Sequence, residues 1–212
     1  FKNLMILKYY ETKKIDLDLN KIILLYGKNE ALKKETINFF LKDGNEILNY
    51  EESEVINNPK NFFDTILSKS LFNEKRSIII KRVTDKIYDI INKIDLNKIE
   101  DLVIFLVSDN LEKKSKLRSK FEKDKDLLCV AFYPDNEQNL LNFAYNFIRG
   151  LKINLSKATI NFIVSRSNYD RETLQNELKK IEAYSKNGKK LDESNINKLI
   201  NLSENHNMSE LI

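Results

Sequence analysis

The chain has 212 residues, 42% of them hydrophobic and 32% charged, and its 36 Lys and Arg exceed its 32 Asp and Glu by a formal charge of +4. That balance excludes a disordered chain, and the length is enough for one large core or two modest ones. The small positive excess excludes a dedicated nucleic-acid coat, so any polyanion contact has to be local.

The single cysteine, Cys129, sits inside the apolar run Leu127-Leu128-Cys129-Val130-Ala131-Phe132 and reads as a small core residue, which rules out a disulfide framework. No apolar stretch approaches the roughly 18 residues of a membrane span, and the start lacks the small-residue cleavage site of a signal peptide. A reducing, cytoplasmic setting without a membrane is expected. Gly (four) and Pro (two) are scarce while Lys, Asn and Ile abound, so isolated Lys and Asn residues carry little meaning here.

In chain order, Ile22-Ile23-Leu24-Leu25-Tyr26 before Gly27 is a short continuous apolar run with a glycine stop, the pattern of a strand buried on both faces. Ala31, Leu32, Ile37, Phe40 and Leu41 follow near helical spacing, interleaved with Lys33, Lys34 and Glu35. A weaker run covers 46–50. Asn58 and Pro59 form an N-cap and first-turn pair ahead of Phe62, Phe63, Ile66 and Leu67. Further strands are predicted at Ser77-Ile78-Ile79-Ile80, at Leu102-Val103-Ile104-Phe105-Leu106-Val107 and at 127–132. Five strands alternating with helices imply a mostly parallel sheet, covered on both faces and joined by right-handed crossovers.

After Pro134 the strand signal ends. Helices are predicted at about 137–149, 156–166 and 170–186, with a short fourth near 193–202. Asp170 with Thr173, Ser156 with Thr159 and Asp192 with Asn195 supply the caps, and Gly188 marks a turn. Two domains result, an α/β domain over 1–135 and a small helical domain over 136–201.

A first strand ending in Gly27 invites comparison with the phosphate loop G-x-x-x-x-G-K-[ST]. Only Lys33 is in register. Leu32 stands where a second glycine lets the backbone approach phosphate, and Lys34 stands where a hydroxyl ligates Mg²⁺. The third strand runs into Lys81-Arg82 instead of the acidic pair that orients Mg²⁺ and water. Lys33 is therefore read as a solvated helix residue, and Lys81 and Arg82 as a basic strand end. The one histidine, His206, lies near the chain end and a lone cysteine makes no metal cluster, so no catalytic residue, metal or cofactor is expected.

Four segments carry a family resemblance: Leu24-Leu25-Tyr26-Gly27-Lys28-Asn29-Glu30; Ser70-Leu71-Phe72-Asn73-Glu74-Lys75-Arg76 into the 77–80 strand; Leu111-Glu112-Lys113-Lys114-Ser115-Lys116-Leu117 with Cys129 to Pro134; and Asp170-Arg171-Glu172-Thr173-Leu174-Gln175-Asn176-Glu177-Leu178-Lys179-Lys180-Ile181. In this order the chain, from about Ile22 onward, resembles the δ subunit of the bacterial DNA polymerase III clamp loader. The resemblance implies an ATPase-like α/β domain of P-loop type with a degenerate phosphate loop (Gly27, Leu32, Lys33, Lys34), then a helical lid. It further implies a third, collar domain, whose beginning 202–212 resembles, so that this would be the amino-terminal two-thirds of such a subunit. The function implied is non-catalytic: binding and opening the DNA polymerase sliding clamp (the β subunit) in replication, beside other loader subunits and primer-template DNA.

In that family a Leu-Phe pair enters a pocket on the clamp, and Leu71 and Phe72 match it. Two large apolar neighbours cannot both face one core from a single turn when Phe63, Ile66 and Leu67 already supply the stripe, so at least one is expected to be exposed. Capping the local core is the other reading of the pair. The basic run with Lys113, Lys114, Lys116 and Arg118 reads either as a DNA phosphate contact or as a solvated face diluted by Glu112, Glu122, Asp124 and Asp126. An ATP-binding clamp-loader ATPase and a plain nucleic-acid-binding module of the same fold are the alternatives.

Overall fold

The computed structural model describes residues 6–8, 11–12, 15–41, 46–68, 75–99, 101–186, 195–196 and 198–199. Leu71, Phe72, Gly188, Asp192, His206 and the stretch 202–212 lie outside the described residues. The chain divides into two compact units, Phe1–Pro134 and Asp135–Ile212.

The first unit is built on a six-stranded sheet, β1 (Ile6–Lys8), β2 (Ile22–Tyr26), β3 (Glu46–Glu51), β4 (Arg76–Lys81), β5 (Leu102–Ser108) and β6 (Leu127–Ala131). Its order is β1-β6-β2-β5-β4-β3 and every neighbouring pair is parallel. The five apolar runs read from the sequence are β2 to β6. The sixth strand, β1, is only three residues long and adds on the outer edge of β6, which is too short for periodicity to reveal. Helices α1 (Glu30–Phe40), α2 (Glu52–Asn57), α3 (Pro59–Leu67), α4 (Tyr88–Asn92) and α5 (Lys116–Lys123) alternate with the strands.

The strands are continuous apolar runs because both faces of the sheet are covered. On one face Ile22, Leu24, Ile78, Ile80, Ile104 and Leu106 pack with Val55, Phe62, Ile66, Ile91, Leu117 and Phe121 from α2 to α5. On the other, Ile23, Leu25, Phe105, Val130 and Phe132 pack with Leu32, Ile37 and Phe40 of α1. Local chemistry starts the helices. Asn58 Oδ1 accepts from the Asn61 N–H at 3.3 Å with Pro59 in the first turn, as its position suggested. The short α2 opens on a capping box in which the Glu51 N–H donates to Glu54 Oε2 at 2.6 Å.

The second unit contains α6 (Glu137–Gly150), α7 (Lys157–Arg166) and α8 (Arg171–Lys186). Its core joins Leu140, Ala144 and Ile148 with Ile160, Ile163, Val164, Leu174, Leu178 and Ile181. Ser156 Oγ accepts from the Thr159 N–H at 3.1 Å, and Asp170 Oδ2 from the Thr173 N–H at 2.8 Å, so two of the expected caps form. Among the described residues no helix is long and apolar enough to cross a membrane.

Cys129 is fully buried in the middle of β6, and burial, with Glu122 nearby, pushes its thiol pKa up to about 12. A thiol with that pKa holds almost no thiolate at neutral pH. The native protein is expected to resist an excess of a maleimide at pH 7 and to label stoichiometrically only in denaturant; rapid native labelling would mean that β6 opens.

Candidate functional site

The site is the turn between β2 and α1, at the carboxyl ends of the strands where open α/β sheets present their ligand crevice. Gly27 holds it shut. Its φ is 123°, and a Cβ placed there would lie 2.1 Å from the Phe132 carbonyl oxygen. Any side chain is therefore excluded by a backbone that cannot yield. The approach is fixed from both sides, since the Gly27 N–H donates to the Asp109 carbonyl at 2.8 Å and the Phe132 N–H to the Tyr26 carbonyl at 2.8 Å.

An anion nest needs backbone N–H groups aimed at open space. Here three of them are used within the chain. The Asn29 N–H donates to the Phe132 carbonyl at 3.4 Å, the Glu30 N–H to the Lys28 carbonyl at 3.1 Å, and the Leu32 N–H to Asn29 Oδ1 at 3.1 Å. Asn29 thereby caps α1 with its oxygen, while its Nδ2 donates to the Tyr133 carbonyl at 3.2 Å. The Leu32 side chain is buried in the cluster beneath β2 and β5.

Lys33 overturns its reading as a solvated residue, for it is 1% exposed. The inward positions of α1 are Leu32, Lys33, Thr36, Ile37 and Phe40, so the lysine lies on the packed stripe. Its ammonium pairs with the Glu30 carboxylate one turn back and donates to the Ser108 carbonyl, at the end of β5, at 2.6 Å. The two bonds supply what burial of a cation demands, a counter-charge and hydrogen-bond acceptors within the protein. Lys34 is exposed. The i, i+3 spacing of Glu30 and Lys33 is visible in the sequence, whereas Ser108, 75 positions away, gives no local sign.

At the end of β4, Lys81 and Arg82 are exposed, and Arg82 pairs with Glu51 at 2.9 Å. The acidic groups nearby have structural duties. Glu52 accepts from the Thr84 N–H at 2.7 Å and from its hydroxyl. Asp85 accepts from the Ser115 hydroxyl and from the backbone N–H groups of Leu117 at 3.0 Å and Lys116 at 3.2 Å, capping α5 from another part of the chain. Burial alone would raise its pKa, but these hydrogen bonds prevail and hold the carboxyl below its ordinary value.

On the basic run, Lys113, Lys114 and Lys116 are exposed, with Lys114 paired to Glu112 at 2.9 Å. Arg118 departs from the expectation of a surface cation. Its side chain is 13% exposed, bonded through Nε to Glu122 at 2.6 Å and through Nη1 to the Leu111 carbonyl at 2.9 Å. The guanidinium also lies 4.8 Å over the ring of Tyr26. Position 118 follows Leu117 on α5 and is drawn to the end of β2, so this arginine ties helix to sheet and is not presented to DNA. The same burial, reinforced by Cys129, pushes the Tyr26 phenol pKa up and leaves its Oη without a hydrogen-bond partner.

No family model and no curated sequence matches the chain. Solved structures do. The Bacillus subtilis DNA clamp loader delta protein is 16% identical, with a TM-score of 0.51 over 83% of this chain and 56% of that one. Domain III of the Thermotoga maritima replication initiation protein DnaA is 15% identical, with a TM-score of 0.50 over 90% of this chain and 88% of that one. The fold is AAA+-like. A Thermotoga maritima RuvB mutant, 12% identical with a TM-score of 0.51 over 91% of this chain and 65% of that one, shares it. The chain spans 56% of the length of the clamp loader protein it matches, and identities this low establish the AAA+-like architecture alone.

Proposed function

We propose that this chain is a non-hydrolysing AAA+-like subunit of a clamp loader, which binds a DNA polymerase sliding clamp and opens it during replication. The observation that carries the reading is the state of Lys33. Its ammonium, the group that would reach the β- and γ-phosphates, is already bound by Glu30 and the Ser108 carbonyl, with Leu32 buried beside it. A nucleotide would have to displace an internal carboxylate, separate Gly27 from Phe132 and do without a metal-ligating hydroxyl or an acidic pair.

A chain with this fold and no nucleotide chemistry is suited to act by docking, and the resemblance assigns the clamp contact to Leu71 and Phe72. The likeness to the delta protein supports a clamp-loader context, with other loader subunits and primer-template DNA as further partners. Titrating the protein with the sliding clamp of its own replication system tests this. A saturable complex is expected whose affinity is the same with and without ATP and Mg²⁺. Absence of a complex, or one that forms only with ATP, defeats the proposal.

A further inference from the structure

One face of α5, the turn before it and Tyr88 of α4 line an open groove of about 490 Å³, with Tyr88, Lys114, Lys116, Lys120, Lys123 and Asp124 among its residues. The lining holds four lysines and one aspartate, with the Glu112 carboxylate beside Lys114, so cations outnumber carboxylates by two. Lys116, Lys120 and Lys123 follow the i, i+4, i+7 spacing that sets them on one helix face, along about 10 Å of its length at 1.5 Å per residue. The opposite face of the helix is apolar: Leu117 and Phe121 are fully buried against the sheet, which fixes the direction of the lysine row.

Two of the lysines have partners, Lys114 with Glu112 at 2.9 Å and Lys120 with Asp124 at 3.4 Å. Such partly or fully exposed pairs are weak and salt-screened, so a phosphate can replace either carboxylate at little cost. Lys116 and Lys123 are exposed. Tyr88, half-buried in the lining, adds an aromatic surface beside the cations. A row of cations next to an aromatic ring is the arrangement that holds a single strand, with the charges tracking the backbone and the ring stacking a base.

We propose that this groove binds single-stranded nucleic acid, with Lys114, Lys116, Lys120 and Lys123 on successive phosphates and Tyr88 against a base. Arg118, turned toward Tyr26, takes no part. Lys113 is exposed and outside the groove.

The test is fluorescence anisotropy of a labelled oligo-dT of about 20 nucleotides, titrated from about 50 to 200 mM salt. The logarithm of the association constant should fall with the logarithm of salt concentration at a slope near −3, about 0.7 for each of four phosphates. The triple variant K116A/K120A/K123A should lose at least about tenfold in affinity and reduce that slope by about 2. Because Lys120 is partly buried, K116A/K123A, both on exposed positions, serves as the second variant and should reduce the slope by about 1.4. Y88A should weaken binding about fivefold or more without changing the slope, and K113A should leave both within about twofold. The double variant L71A/F72A should bind the oligonucleotide as the wild type does, so clamp docking and strand binding fail separately. No measurable binding, wild-type affinity in both lysine variants, or an equal loss in K113A overturns the proposal.

Discussion

Replacing Leu71 and Phe72 together by alanine is expected to weaken the sliding-clamp complex at least about a hundredfold, about 2.7 kcal/mol, with little change in melting temperature. Burying two large apolar side chains contributes on the order of 3–5 kcal/mol before the costs of association, and small apolar anchors usually dominate such interfaces. The described surroundings bear on the second half of the expectation. Phe62 and Ile66 already fill the core beneath α3, and Leu67 at its end is 51% exposed. The two ends of the connecting segment are also fastened, because Arg76, 5% exposed at the start of β4, donates to the Thr65 carbonyl at 3.1 Å and to the Ser68 hydroxyl at 3.0 Å. Were the pair part of the core instead, the same double change would cost several kcal/mol of folding stability. A clamp titration and a thermal melt on one preparation separate these outcomes.

The second large effect concerns the helical unit. Arg171, at the first position of α8, reaches back to Asp135 with Nη1 at 3.2 Å from Oδ1, the two side chains 8% and 4% exposed. Its guanidinium lies 4.2 Å over the Phe143 ring of α6. Arg171→Met keeps much of the aliphatic packing but takes the arginine counter-charge from a buried carboxylate, which is expected to cost about 3–5 kcal/mol. A small helical unit has little more than that to lose. Loss of helical ellipticity well below the wild-type transition, with selective proteolysis after residue 135, is the expected result. Adding Asp135→Asn should restore part of the loss, since it removes the buried negative charge. A change under about 1 kcal/mol for Arg171→Met would show that water reaches the pair and that it does not hold the unit together.

Most of the architecture was legible because it rests on local patterns. Ile22 to Tyr26, Ile78 to Ile80 and Leu102 to Val107 are unbroken apolar runs, and a parallel strand covered on both faces has no other way to be written. Asn58, Ser156 and Asp170 act within three residues of themselves, so their caps could be read directly. What escaped depends on distance in sequence. The edge strand β1 exists through its pairing with β6, more than 120 positions later. Lys33 looked like one more lysine in a Lys-rich chain until the Ser108 carbonyl and the packing of α1 claimed it. Arg118 belonged to a basic run by composition, but Tyr26 and Leu111 decide where its guanidinium goes. That position 32 is not glycine and position 34 carries no hydroxyl could be read directly; that Lys33 is internally paired could not.

Isothermal titration of the protein with ATP in the presence of Mg²⁺ tests the proposed absence of nucleotide binding most directly. With Lys33 held by Glu30 and Ser108, no saturable heat is expected up to millimolar nucleotide, and no phosphate release on prolonged incubation. Mg²⁺-dependent binding with a micromolar dissociation constant, about 8 kcal/mol of binding free energy, would contradict it and place the chain among the nucleotide-driven members of its fold.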